Sequence, residues 1–150
     1  MPLYFLDTSA VAKLYIREPG TDQMVRLTTG KGNRFVLLAI TQVEFRSAVR
    51  RRQREGDLDR AEAETLLQDF ARHFDGFFLR QAMSEAVLDT ACGLIDNHPL
   101  RAYDAIQLAG CVALRFSNAH EHPVFVCSDD KLLAAAEAEG FLIWNPAISM

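Results

Sequence analysis

The sequence predicts an α/β fold in which a parallel sheet lies between two layers of helices. Its β segments are short, wholly apolar runs such as Leu3-Tyr4-Phe5-Leu6 and Val124-Phe125-Val126-Cys127. Runs of this kind, rather than alternating ones, are expected where helices cover both faces of a sheet. They alternate with longer stretches of helical periodicity, an order that calls for parallel strands joined by right-handed crossovers. Turn residues fall between the segments: Pro19-Gly20, Gly30-Lys31-Gly32, Gly56, Gly76, Pro99, Pro123 and Gly140.

Along the chain the predicted elements are strand 3–6, helix 9–16, helix 21–29, strand 34–39, helix 42–54, helix 58–74, strand 77–80, helix 83–97, helix 101–117, strand 123–127, helix 130–139 and strand 141–144. Helices 42–54 and 58–74 interrupt the alternation. Joined by Glu55-Gly56-Asp57, they form a helical hairpin expected to project from the sheet edge. Leu66, Leu67, Phe70, Ala71 and Phe74 make one apolar stripe on it, a face for the domain's own core or for a partner.

With 150 residues, 49% of them hydrophobic, the chain has the size of one domain spanning 1–150 with a substantial core. The N-terminal apolar run carries no preceding charged region and is broken by Asp7, so no signal peptide or membrane span is expected and a cytoplasmic placement follows. Cys92, Cys111 and Cys127 are widely spaced and odd in number; they are expected to be reduced, buried small side chains, with neither zinc nor disulfides. A net charge of −4 argues against nucleic-acid binding by bulk attraction. The charge is uneven, however. Arg46, Arg50, Arg51, Arg52 and Arg54 crowd one segment just before Asp57, Asp59, Glu62 and Glu64. That cluster is either a solvated face or a small phosphate-contacting surface.

Four acids sit at or near helix starts: Asp7, Glu44, Asp104 and Asp129. Each has a structural explanation. Asp7 and Asp129 suit helix N-caps, with Ser128 and Asp130 competing for the second cap. Glu44, three residues after Thr41, fits a capping box. Asp104 is harder to explain so, because it shares a helical face with Leu100 and Leu108, and an acid in an apolar stripe must be paired, protonated or bound to a cation. In an open α/β sheet, ligands bind beyond the carboxyl ends of the strands. Carboxylates gathered there raise one another's pKa, a conflict that a divalent cation with oxygen ligands removes. A Mg²⁺- or Mn²⁺-type site is therefore expected. Ser9 is placed to hydrogen-bond Asp7 or a metal-bound water, or to cap the helix over 9–16. His120 and His122, flanking Glu121, read as a polar surface loop, and no phosphate loop, nucleophile elbow or Cys–His pair is present.

In this order the segments resemble the PIN-domain family, and more narrowly its VapC-type toxin nucleases of bacterial toxin–antitoxin pairs. The resemblance rests on Leu6-Asp7-Thr8-Ser9-Ala10, on Thr41-Gln42-Val43-Glu44-Phe45 with Arg50-Arg51 beyond it, on Leu100-Arg101-Ala102-Tyr103-Asp104-Ala105-Ile106-Gln107-Leu108-Ala109, and on Val126-Cys127-Ser128-Asp129. The third segment is the most distinctive. Cys127 departs from the family pattern, which commonly has Thr at that position.

The resemblance implies a sheet of order 3-2-1-4-5 and a ribonuclease dependent on Mg²⁺ or Mn²⁺. Asp7 and Asp104 would be the core metal ligands and Asp129 a further one, direct or through water, while Glu44 would position or deprotonate the attacking water or complete a second metal position. Arg50 and Arg51 would meet the RNA backbone. A toxin of this type would form a homodimer and be silenced by a cognate antitoxin. Two other readings stand beside it: a housekeeping PIN-domain nuclease of RNA processing, and a catalytically silent PIN-fold interaction module.

Overall fold

The computed structural model describes residues 2–117 and 121–148. Its elements are β1 (Leu3–Leu6), α1 (Thr8–Ala12), α2 (Thr21–Thr29), β2 (Arg34–Leu38), α3 (Thr41–Arg54), α4 (Arg60–Gly76), β3 (Leu79–Gln81), α5 (Glu85–Asn97), α6 (Ala102–Ser117), β4 (Val124–Val126), α7 (Asp130–Ala138) and β5 (Leu142–Trp144). The strands pair in the order β3-β2-β1-β4-β5, all in parallel. β1 is central. Its Tyr4 lies opposite both Phe35 and Val124, and Leu6 opposite Val126, so the carboxyl ends of β1 and β4 emerge side by side.

The pleat sorts the strand residues into two cores, one on each face. Leu3, Phe5, Val36, Leu38, Phe125 and Cys127 face α5, α6 and α7, whereas Leu6, Phe35, Leu37 and Val126 face α1 to α4. Successive strand residues point to opposite faces, which is why runs such as Leu3–Leu6 are apolar throughout. On the first face α6 lies so close to the sheet that a Cβ on Gly110 would stand 2.9 Å from Leu38 Cδ1 and 3.0 Å from Phe5 Cζ. On the second face the α3–α4 hairpin contributes Phe45, Val49, Leu67, Phe70 and Phe74 to the core. Phe45 and Phe70 stack at 4.4 Å between centroids and hold its two helices together.

Several local expectations are corrected. α1 ends at Ala12 rather than near residue 16, because the next amides turn back three residues: Lys13 to Ala10, Leu14 to Val11 and Tyr15 to Ala12. α4 begins at Arg60, with Asp59 and Glu62 forming a reciprocal capping box, and runs to Gly76. β3 is shifted with it, to Leu79–Gln81, since the Phe77 and Phe78 amides still bond to the His73 carbonyl. Cys111 and Cys127 are buried as expected, but Cys92 is exposed on α5. Glu121 makes a two-pronged ion pair with Arg34 at 2.9 and 3.0 Å, anchoring the segment before β4. His122 is exposed, and His120 lies outside the described residues. Among the described residues no helix is long and apolar enough to cross a membrane.

Candidate active site

The site grows from the carboxyl ends of β1 and β4. The Asp7 amide donates to the Val126 carbonyl at 3.1 Å, fixing the end of β1 against β4. The Asp7 side chain caps α1: its Oδ1 accepts the Ala10 amide at 3.1 Å and the Ser9 hydroxyl at 2.7 Å. Ser9 Oγ also accepts the Ser128 amide at 3.2 Å, tying the two strand ends together once more. Across from Ser9, Asp129 caps α7 by accepting the Leu132 amide at 3.0 Å. The competition for that cap thus goes to Asp129, with Asp130 as the exposed first residue of the helix. The Cys127 thiol donates to the main-chain carbonyl of Asp129 at 3.6 Å, not to its carboxylate.

The capping box expected at Thr41 and Glu44 does not form. α3 starts one residue earlier than that box requires, with Ile40 as its N-cap and no side-chain cap bond. Thr41 is fully buried and accepts from Gln107 Nε2 at 3.0 Å. Glu44 turns inward instead. Its Oε1 accepts the Thr8 hydroxyl at 2.9 Å and Gln107 Nε2 at 2.6 Å.

Asp104 stands in the first turn of α6, half-buried, with the exposed Arg101 guanidinium 3.6 Å from its Oδ2. Asp7, Glu44 and Asp104 line one cleft of about 630 Å³. Arg51, Arg52 and Tyr103 line it too, the last with its ring half exposed and Arg101 stacked over it at 4.8 Å. Glu18 is a further lining residue, paired with the buried Lys13 at 3.1 Å and with Arg52 at 3.2 Å. Arg50 is not among the lining residues; it pairs with Glu64 of α4 at 2.9 Å. Asp129 is not among them either, but it lies close enough to add to the raised pKa of Asp104.

Two of the acids in this cleft, Asp7 and Asp104, are held back from ionising. Burial raises Asp7 from 3.8 to about 7; bonds from Ser9 and Ala10 resist the shift, and the charges of Asp104 and Glu44 add to it. Asp104 is raised as well, first by burial and then by Asp129, against the pull of Arg101. All the donors are carboxylate oxygens, the set a hard divalent cation prefers. A cation between Asp7 and Asp104 would relieve the burial cost and the mutual repulsion together, so these residues fit such an ion. Among the described residues, no three His, Cys, Asp or Glu side chains are preassembled around a single point. Each acid is held instead by its own partner: Asp7 by Ser9, Glu44 by Thr8 and Gln107, and Asp104 by Arg101.

The PIN domain family model matches residues 4–138, a span that holds all four acids and all but the last strand. The chain belongs to the PIN domain family. This PIN domain is 29% identical over 147 residues to Ribonuclease VapC47 of Mycobacterium tuberculosis (strain CDC 1551 / Oshkosh), covering 96% of this chain and 97% of that one. Its fold is similar to that of FitAcB from Neisseria gonorrhoeae, with a TM-score of 0.65 at 18% identity over 95% of this chain and 97% of the other. A toxin–antitoxin complex from Klebsiella pneumoniae contains a similar chain, with a TM-score of 0.64 at 15% identity over 95% and 97%.

The sequence pointed to the four acids and Ser9, of which Asp7, Ser9, Glu44 and Asp104 line the cleft; it gave Thr41 only a capping role and gave Gln107, Thr8, Glu18 and Lys13 none. Gln107 did carry a signal. It is a polar residue in the apolar stretch of α6, three positions after Asp104 and so on the same side of the helix.

Proposed function

We propose that this chain is a metal-dependent endoribonuclease acting in the cytoplasm as the toxin of a type II toxin–antitoxin pair. The observation that carries the reading is Asp7, buried in the cleft with a pKa raised to about 7 and faced by Asp104 and Glu44. A carboxyl so placed is costly unless a cation takes up its charge. Asp7 and Asp104 would hold Mg²⁺ or Mn²⁺, with Asp129 as a further ligand. When bound, the ion supplies charge neutralisation at the phosphoryl oxygens. Glu44 orients a water for attack on phosphorus and takes its proton. Arg51 and Arg52, which line the same cleft, draw in the phosphate backbone. Ser9 keeps the Asp7 carboxylate facing the cleft.

The relative named Ribonuclease VapC47 and the similar chain of a toxin–antitoxin complex support the substrate class and a cognate antitoxin as partner. As a toxin of this type the chain would form a homodimer of one-domain subunits. The complete acid set argues against a catalytically silent module. An antitoxin distinguishes this reading from a housekeeping nuclease.

The test is cleavage of RNA by purified protein with Mg²⁺ or Mn²⁺, together with growth on expression. Asp7→Asn and Asp104→Asn abolish cleavage and growth arrest, leave the melting temperature unchanged or raised, and remove the manganese binding seen by isothermal titration. Full manganese affinity in either variant would overturn the metal assignment. Cleavage without growth arrest would favour the housekeeping nuclease.

A further inference from the structure

We propose that Gln107 is a positioning residue for Glu44. Its side-chain amide clamps the Glu44 carboxylate in the orientation from which it acts on the attacking water. The inference rests on the reading of Glu44 given above.

Gln107 is 2% exposed, and its Nε2 stands 2.6 Å from Glu44 Oε1, 3.0 Å from Thr41 Oγ1 and 3.2 Å from Thr8 Oγ1. The amide has two hydrogens. The two shortest contacts use them, one on Glu44 and one on Thr41. The Thr41 bond orients the amide group, because Thr41 is itself fully buried at the start of α3. A carboxylate can only accept, so the nitrogen and not the oxygen must face Glu44. Thr8 donates to the same Oε1 at 2.9 Å. Glu44 is therefore gripped from the β1–α1 junction and from α6 at once. Both donors reach Oε1, and Oε2 takes no part in the grip.

The other end of the amide argues that the donor is what matters. Gln107 Oε1 is buried without a protein partner among the described residues. A buried acceptor left unpaired is destabilising, so an apolar side chain of equal length would fill this place in α6 more favourably. A glutamine that departs from the surrounding apolar packing, beside an acid of the cleft, is the kind of local conflict found at functional sites. The same helix thus presents two groups three residues apart to one cleft: Asp104, and Gln107, whose amide grips Glu44 there.

The experiment compares Gln107→Met, Gln107→Asn and Glu44→Gln with the full-length protein in steady-state RNA cleavage. Thermal melting and manganese titration are followed in parallel. Met keeps the length and removes the donor; Asn keeps the amide and is too short to reach Glu44. Both variants are expected to lower kcat at least tenfold with KM within twofold and manganese affinity unchanged. A purely structural role would instead lower the melting temperature and leave kcat of the folded fraction intact. Should Met not fold, Asn carries the same test. If both glutamine variants keep kcat within twofold while Glu44→Gln is inactive, the positioning role is overturned and the reading of Glu44 survives. If Glu44→Gln cleaves as fast as the wild type, that reading itself falls.

Discussion

The Ser9 hydroxyl donates to Asp7 Oδ1 at 2.7 Å while its oxygen accepts the Ser128 amide at 3.2 Å, so one side chain fixes both the acid and the spacing of the two central strand ends. Ser9→Ala breaks both links and leaves a part-buried amide without its partner. The expected cost is about 1–3 kcal/mol in denaturant unfolding, together with a fall in kcat. A variant as stable and as active as the wild type would show that Ser9 does neither job.

The raised pKa of Asp7 fixes the sign of a pH effect in the metal-free protein. Asp7 titrates near 3.8 in the unfolded chain and near 7 in the folded one, so between these values the folded state binds the extra proton. The stabilisation is fully present below about pH 4 and is lost as pH rises through 7, up to about 4 kcal/mol. Melting in the presence of chelator should therefore occur at a lower temperature at pH 8 than at pH 5. Asp7→Asn should flatten that difference, and manganese should restore melting at pH 8 in the wild type alone. An equal slope in Asp7→Asn would assign the effect to other groups.

The arginines of α3 divide by what they face. Arg51 and Arg52 line the acid cleft, whereas Arg50 is held by Glu64 and Gln53. Replacing Arg51 and Arg52 with Ala should weaken RNA binding and reduce its salt dependence by roughly 0.7 in slope per lost phosphate contact on single-stranded RNA. Arg50→Ala should leave the slope unchanged. The reverse pattern would place the backbone path along the hairpin instead of the cleft.

Cys127 offers a test of how the Asp129 turn is held. Its thiol reaches the Asp129 carbonyl at 3.6 Å, and burial raises its pKa, so it acts as a neutral donor. A Thr hydroxyl at this position finds the same acceptor. Cys127→Thr is thus expected to match or exceed the wild type in stability, and Cys127→Val to lose about 1 kcal/mol with the missing bond. Thermal melts that rank Val above Thr would show that Cys127 only fills space.

Much of the fold was legible because a parallel sheet covered on both faces leaves a plain record. β1 reads Leu3-Tyr4-Phe5-Leu6 because neighbouring residues enter different cores. The expectations failed where one pattern has two physical outcomes. Thr41-x-x-Glu44 reads as a capping box, and Asp59-x-x-Glu62 is the box that forms; the buried Gln107 drew both members of the first inward. Phe77 and Phe78 read as strand, but their amides complete the end of α4. In the site, Asp7 and Asp129 were legible because charge at the end of an apolar run stands out, and Asp104 because it lies in an apolar helical stripe. Their holders were not, since Thr8, Thr41 and Gln107 meet only after β1, α3 and α6 have packed together.

That packing gives Gly110 a part in the chemistry without any chemical group of its own. It lies six residues beyond Asp104 and three beyond Gln107 on α6, at the place where the helix rests on the sheet. Its missing methyl works as a gauge block between helix axis and strand plane. A Cβ there must displace the Leu38 methyl or lift the helix like a lever away from Phe5. The far arm of that lever carries one acid and the amide that grips another. The bare α-carbon of a glycine in the hydrophobic interior therefore sets the depth at which the polar end of the molecule is hung.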